Sequence, residues 1–137
     1  MMTLTRLRII LLLGTAVMTS ACSVAQQPVA PNFLNEARAA RAENPKAPRL
    51  DLTAIAIKYL PVGMPKELAL KYLTDLGFGV LPNVNANPPK PDAYMARKRE
   101  GAPAVYPSYF HDEYRVNLYF ADGKVAEVAA RLFSHSQ

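Results

Sequence analysis

From residue 51 onward, the apolar positions alternate between helical and strand spacing. Leu52, Ile55, Ala56, Tyr59 and Leu60 recur every three or four residues, as on one helix face, and Asp51 or Thr53 can cap that helix. Pro61-Val62-Gly63 stops it. Pro65 then takes a first helical position, where its missing N–H costs nothing. Leu68, Ala69, Tyr72, Leu73 and Leu76 form a second stripe, closed by Gly77 as a C-terminal cap. The pattern predicts two short helices, at 51–60 and 65–76.

Between Leu81 and Pro91, four prolines make a connector unsuited to a central strand. Tyr94 to Arg99 alternates loosely and can form a first strand. Residues 100–113 read as a loop, and Tyr114 to Phe120 as a clear second strand with Val116, Leu118 and Phe120 on one face. The third strand offers Ala126, Val128, Ala130 and Leu132 as its apolar set. A two-residue Asp122-Gly123 turn would set Glu127 beside Leu118. A three-residue loop, 121–123, pairs 118 with 126 and 116 with 128 and brings the apolar sets together. The expected register is the latter, with Gly123 left-handed beside a bulge. The expected fold is α+β, two short helices packed on a three-stranded antiparallel sheet (ααβββ), spanning 51–137.

The N-terminus follows a different pattern. Arg6 and Arg8 precede an apolar run from Ile9 to Met18, and then Thr19, Ser20 and Ala21 lead to Cys22, the only cysteine. Ten apolar residues suit a signal h-region and fall well short of the ~20 needed to span a bilayer. The ending Thr19-Ser20-Ala21-Cys22 resembles the bacterial lipobox, which implies a signal peptide over 1–21 and acylation of Cys22, anchoring the chain to a membrane. A single cysteine also excludes a disulfide framework. Residues 22–50 carry Pro28, Pro31, Pro45 and Pro48 and read as a mostly disordered tether. Within it, 33–43 can form one marginal helix capped by Asn32, with Phe33, Leu34 and Ala37 on a weakly apolar face.

The net charge of +5 suggests nucleic acid only until the charges are located. Two of the sixteen basic residues lie in the signal, and residues 51–137 hold ten basic against nine acidic groups. The folded part is near neutral, so no nucleic-acid partner is expected.

A helix, Leu60-Pro61-Val62-Gly63-Met64, a second helix ending at Gly77-Phe78, and strands closing on Phe120-Ala121-Asp122-Gly123-Lys124-Val125 follow a lipobox in that order. This arrangement resembles the SmpA/OmlA (BamE-like) family of small outer-membrane lipoproteins, which share the half-unit of the β-lactamase-inhibitor-protein fold. Pro65 stands where that family usually has a polar cap. The resemblance implies a non-enzymatic accessory of outer-membrane assembly or envelope integrity, which binds another envelope protein and faces the periplasm from the outer membrane. An inhibitor or immunity-type lipoprotein that blocks an enzyme or toxin is the alternative.

The sequence offers little chemistry. His111-Asp112-Glu113 is the one dense polar cluster, and His135 is the only other histidine. Adjacent residues on a loop do not point at one centre, so neither a catalytic residue nor a metal site is expected. No cofactor or small-molecule substrate is implied. Arg97-Lys98-Arg99 can meet phosphate or lipid headgroups, or can simply be a solvated strand end. Six of the twelve aromatics lie between Tyr106 and Phe120. Tyr106, Tyr109 and Phe110 either fold back as a core lid or stay exposed for a partner. Tyr119 and Arg115 point away from Val116 and Leu118, which makes them the expected partner-binding residues, with Tyr109 and Phe110 extending the patch.

Overall fold

The C-terminal hairpin is the spine of the fold, and its register is not the expected one. The computed structural model describes residues 30–101 and 110–136. In chain order the elements are α1 (Phe33–Glu43), β1 (Arg49–Asp51), α2 (Thr53–Tyr59), α3 (Lys66–Asp75), β2 (Gly79–Pro82), β3 (Ala93–Gly101), β4 (Phe110–Ala121) and β5 (Lys124–Ser136). The sheet is antiparallel throughout, in the order β1-β5-β4-β3-β2.

The three-residue loop at 121–123 does not form. Phe120 pairs with Val125 and Ala121 with Lys124, leaving a two-residue Asp122-Gly123 turn. Both turn residues have positive φ, 52° and 71°, as the type I′ turn requires. Pairing by that turn alone would set Glu127 against Leu118. A bulge prevents this: Tyr119 pairs with Glu127, so Ala126 is an extra residue on β5. Beyond it, Leu118 meets Val128, Val116 meets Ala130 and Tyr114 meets Leu132. Of the expected β5 set, Val128, Ala130 and Leu132 do face the β4 residues, through a tight turn plus a bulge rather than a longer loop. Val125 is buried in the core and Ala126 is exposed.

The expected two-helix, three-strand unit is likewise corrected, to three helices on five strands. Both α2 and α3 lie within the ranges that spacing predicted. β1 and β2 come from stretches read as connectors, and α1 is the helix that the sequence allows over 33–43 within the tether. β2 is a four-residue edge strand ending at Pro82, a place where proline removes no interior ladder bond. β1 pairs with residues 131–133 on the opposite edge. The helix α1 supplies Phe33 and Ala37, both fully buried, and Leu34 to the core.

Polar contacts along its length hold α1, which would be marginal alone. Asn32 Oδ1 accepts from Asn35 N, and the Phe33 N–H donates to the Tyr72 hydroxyl. Glu36 meets both Lys58 and the Tyr59 hydroxyl on α2, while Tyr59 stacks on Tyr72 of α3. At the other end, Arg41 bridges to Asp112 and Ser134 on the sheet. All three helices lie on one sheet face, over Ala96, Tyr114, Val116, Leu118, Val128, Ala130 and Leu132. The α2–α3 link also docks on the hairpin. The Gly63 N–H donates to Val125 O, Val125 N–H to Met64 O, and Lys66 N–H to Gly123 O.

Two substitutions test this architecture by urea unfolding. Phe33→Ala should cost about 3–5 kcal/mol, as for a large core residue; a loss within about 0.5 kcal/mol would return Phe33 to a solvated connector. Gly123→Val should cost about 1–2 kcal/mol from backbone strain alone, since a Cβ there meets nothing within 4 Å. No loss would contradict the left-handed turn.

Candidate binding face

The pleat that points Val116 and Leu118 at the helices points their neighbours the other way. On that second face, cross-strand partners form rows running from edge to edge. One row is Asp51, Arg131, Arg115, Arg97 and Gly79. The next is Arg49, Phe133, Glu113 and Arg99. Three arginines thus stand directly opposite one another on adjacent strands, an arrangement that opposes folding, since like charges on facing positions repel. Among the described residues, no helix covers this face.

One carboxylate sits within the positive field. Glu113 is only 2% exposed. Arg115 donates twice to its Oε1, at 2.5 and 3.1 Å, and Arg99 donates to Oε2 at 3.1 Å. Burial pushes the Glu113 carboxyl up, but the hydrogen bonds and charge of Arg115 and Arg99 outweigh it and hold it below the usual carboxylate range. The Phe133 ring lies beneath two guanidiniums, with Arg115 at 4.6 Å and Arg49 at 5.3 Å from its centroid. Asn117 Oδ1 is buried on the same face with no hydrogen-bond partner among the described residues.

Of the expected contact residues, Arg115 and Tyr119 are on this face, each half-buried. Their surroundings differ. Arg115 neutralises a buried acid, so its removal is structurally costly in its own right. Tyr119 lies under the Lys90 ammonium, 4.0 Å from the ring centroid, and Lys90 pairs with Glu127 across the strand. The connector 83–92 therefore folds over the Tyr119 end of the face. Phe110 begins β4 opposite Ser136. Tyr109 and the aromatic loop before it lie outside the described residues, as do Cys22 and the whole of 1–21. The exposed arginines Arg97 and Arg131, which flank Arg115, were not singled out as a pair. Arg131 meets Arg115 through the bulged β4–β5 register and Arg97 through the regular β3–β4 pairing, and neither alignment has a linear signature.

Comparisons with protein-family models, with curated proteins and with solved structures find no match to this chain.

The histidines also depart from expectation. His111 is not in a loop but in β4, directly opposite His135 of β5. The two rings stack with centroids 4.6 Å apart and planes 23° from parallel. His111, His135 and Glu113 share the open face, and one donor atom from each lies within 4.8 Å of the others. Asp112, between two of them in sequence, points to the helix face and pairs with Arg41. The three adjacent residues do not share a centre, since Asp112 turns away, but His135 was not expected beside them. Adjacent residues diverge, as the pleat requires, but alternate ones and the facing strand come together.

The Glu113 pairing has a pH signature. Because its folded carboxyl lies below the ordinary value of 4.5, its contribution is complete above that value and is lost as pH falls through the folded one. Urea unfolding of the wild type and Glu113→Gln, from neutral pH to about pH 3, should show a constant wild-type advantage that shrinks only at the acid end. An advantage that persists undiminished in acid would mean that the carboxylate is not held by Arg115 and Arg99.

Proposed function

We propose that this chain is a non-enzymatic lipoprotein of the bacterial envelope, anchored through Cys22, that acts as a protein-binding accessory in outer-membrane assembly or envelope integrity. It takes its partner on the open face of the sheet. The observation that carries this reading is the Arg97–Arg115–Arg131 row on a face that no described helix covers. Lining up like charges costs stability, and an acidic surface laid across them recovers it. Arginine and tyrosine are also the types most enriched where interfaces concentrate their binding energy. Charge complementarity of this kind would speed encounter and fix orientation more than it adds affinity.

The anchor supports the location. Cys22 follows an apolar run too short to cross a bilayer, and no helix among the described residues is long and apolar enough to do so. Nine residues separate Cys22 from the Asn32 cap, ten Cα–Cα steps in all. That chain reaches at most about 35 Å when fully extended, which would hold the domain close to the membrane bearing the anchor. The order of helices, tight turn and strands behind a lipobox, similar to the SmpA/OmlA (BamE-like) pattern, supports the same role.

Crosslinking in intact envelopes tests the face without disturbing Glu113. A photo-crosslinker at Ala129, in the row beside the arginines, should capture a defined envelope protein; the same probe at exposed Leu68 on α3 should not. Reversing Arg97 and Arg131 to Glu should cut that band at least tenfold without lowering the thermal midpoint, and Tyr119→Ala should weaken it. Equal capture at both positions, or a band indifferent to the charge reversal, would remove the face from the function.

A further inference from the structure

We propose that His111, His135 and Glu113 form a binding site for a divalent transition metal of borderline softness, with Zn2+ as the probe. The site adjoins the arginine row through Arg115, which holds Glu113, but does not rest on the proposed function. Two imidazoles and one carboxylate are the donor set such ions prefer. They are placed by the backbone: His111 and His135 face each other across the β4–β5 ladder, and Glu113 is two residues along β4 on the same side. One donor atom from each lies within 4.8 Å of the others. An ion central to three such atoms starts at most about 2.8 Å from each. Metal–nitrogen and metal–oxygen bonds run at about 2.0–2.2 Å, so movements under ~1 Å close the site. His135 is exposed and His111 half-exposed, which leaves a path for the ion and room for the side chains to turn. Among the described residues no fourth donor joins the three, so water would complete the coordination.

The opposing term is the charge around Glu113. Its two oxygens are divided between partners: Arg115 holds Oε1 through two hydrogen bonds, while Arg99 holds Oε2 through one. The Arg99 side chain is 66% exposed, so it can leave for water at little loss. Arg115, stacked on Phe133, remains on Oε1. The metal therefore competes with Arg99 for Oε2, and Arg99 sets the affinity. A pair of histidines that merely adsorbed metal at a frayed strand end would be indifferent to that residue.

Calorimetric titration of the full chain, without a histidine tag and in a Cys22→Ser background to remove the thiol, tests this directly. Zn2+ should bind saturably at one equivalent and raise the thermal midpoint. His135→Ala and His111→Ala should each weaken binding at least tenfold. The exposed His135 variant should keep the metal-free midpoint of the parent and lose the Zn2+-induced rise. Arg99→Gln should tighten binding several-fold by freeing Oε2. No saturable one-to-one uptake, or equal affinity in His135→Ala, would overturn the site. Unchanged affinity in Arg99→Gln would overturn Glu113 as a ligand and with it the three-donor assignment.

Discussion

One extra residue in β5 governs both faces of this protein. Ala126 lies between the residues that pair with Phe120 and Tyr119, and its bulge shifts every later pair along the hairpin by one position. Because side chains alternate with a period of two, that shift decides which of them reach the core. It brings Val128, Ala130 and Leu132 beneath the helices. By the same step it sets Arg131 against Arg115 and His135 against His111 on the reverse. The packing of the core and the chemistry of the open face are two consequences of one backbone irregularity.

The hairpin needs the rest of the chain to cover it. Two short helices on three strands leave much of the sheet bare, and the protein closes the deficit from its N-terminal side. Phe33, Leu34 and Ala37 of α1 enter the same cluster as Leu73 and Phe78, and each large side chain buried contributes about 1.5–3 kcal/mol. Polar contacts fix where α1 lies. Arg38 reaches Glu100 at the end of β3, and Arg41 reaches Asp112 and Ser134. The acids that the helix face contributes at this end of the sheet are thereby spent on α1, while those of the open face are outnumbered by arginine. The contrast between the two faces is built into the pairing.

What could be read along the chain is what repeats. The stripes of α2 and α3 are long enough to show helical spacing, and Gly77 closes α3 as expected, with φ at 83° and Phe78 N–H returning to Leu73 O. Elements without a period were missed. β1 has three residues and β2 has four, too few for alternation to stand out. The α1 pattern is weak because most of its residues face solvent or ion-pair partners. The bulge breaks the alternation, so a three-residue loop gives none of Val116, Leu118 and Phe120 its actual partner and puts exposed Ala126 in the core set in place of buried Val125. Arg115 and Tyr119 could be placed on the outer face from local alternation alone. The buried state of Glu113, the arginine row and the histidine pair could not, since each depends on which residue of the next strand lies opposite.

The most direct test is therefore the pairing itself, read from cross-strand nuclear Overhauser effects between backbone protons of β4 and β5. The structure predicts that contacts near the turn link Phe120 with Val125, and that those beyond Ala126 link Leu118 with Val128, Val116 with Ala130 and His111 with His135. Contacts linking Leu118 with Ala126 or with Glu127 would mean an unbulged hairpin. In that case Arg131 would no longer face Arg115, the histidines would part, and the open face described here would not exist.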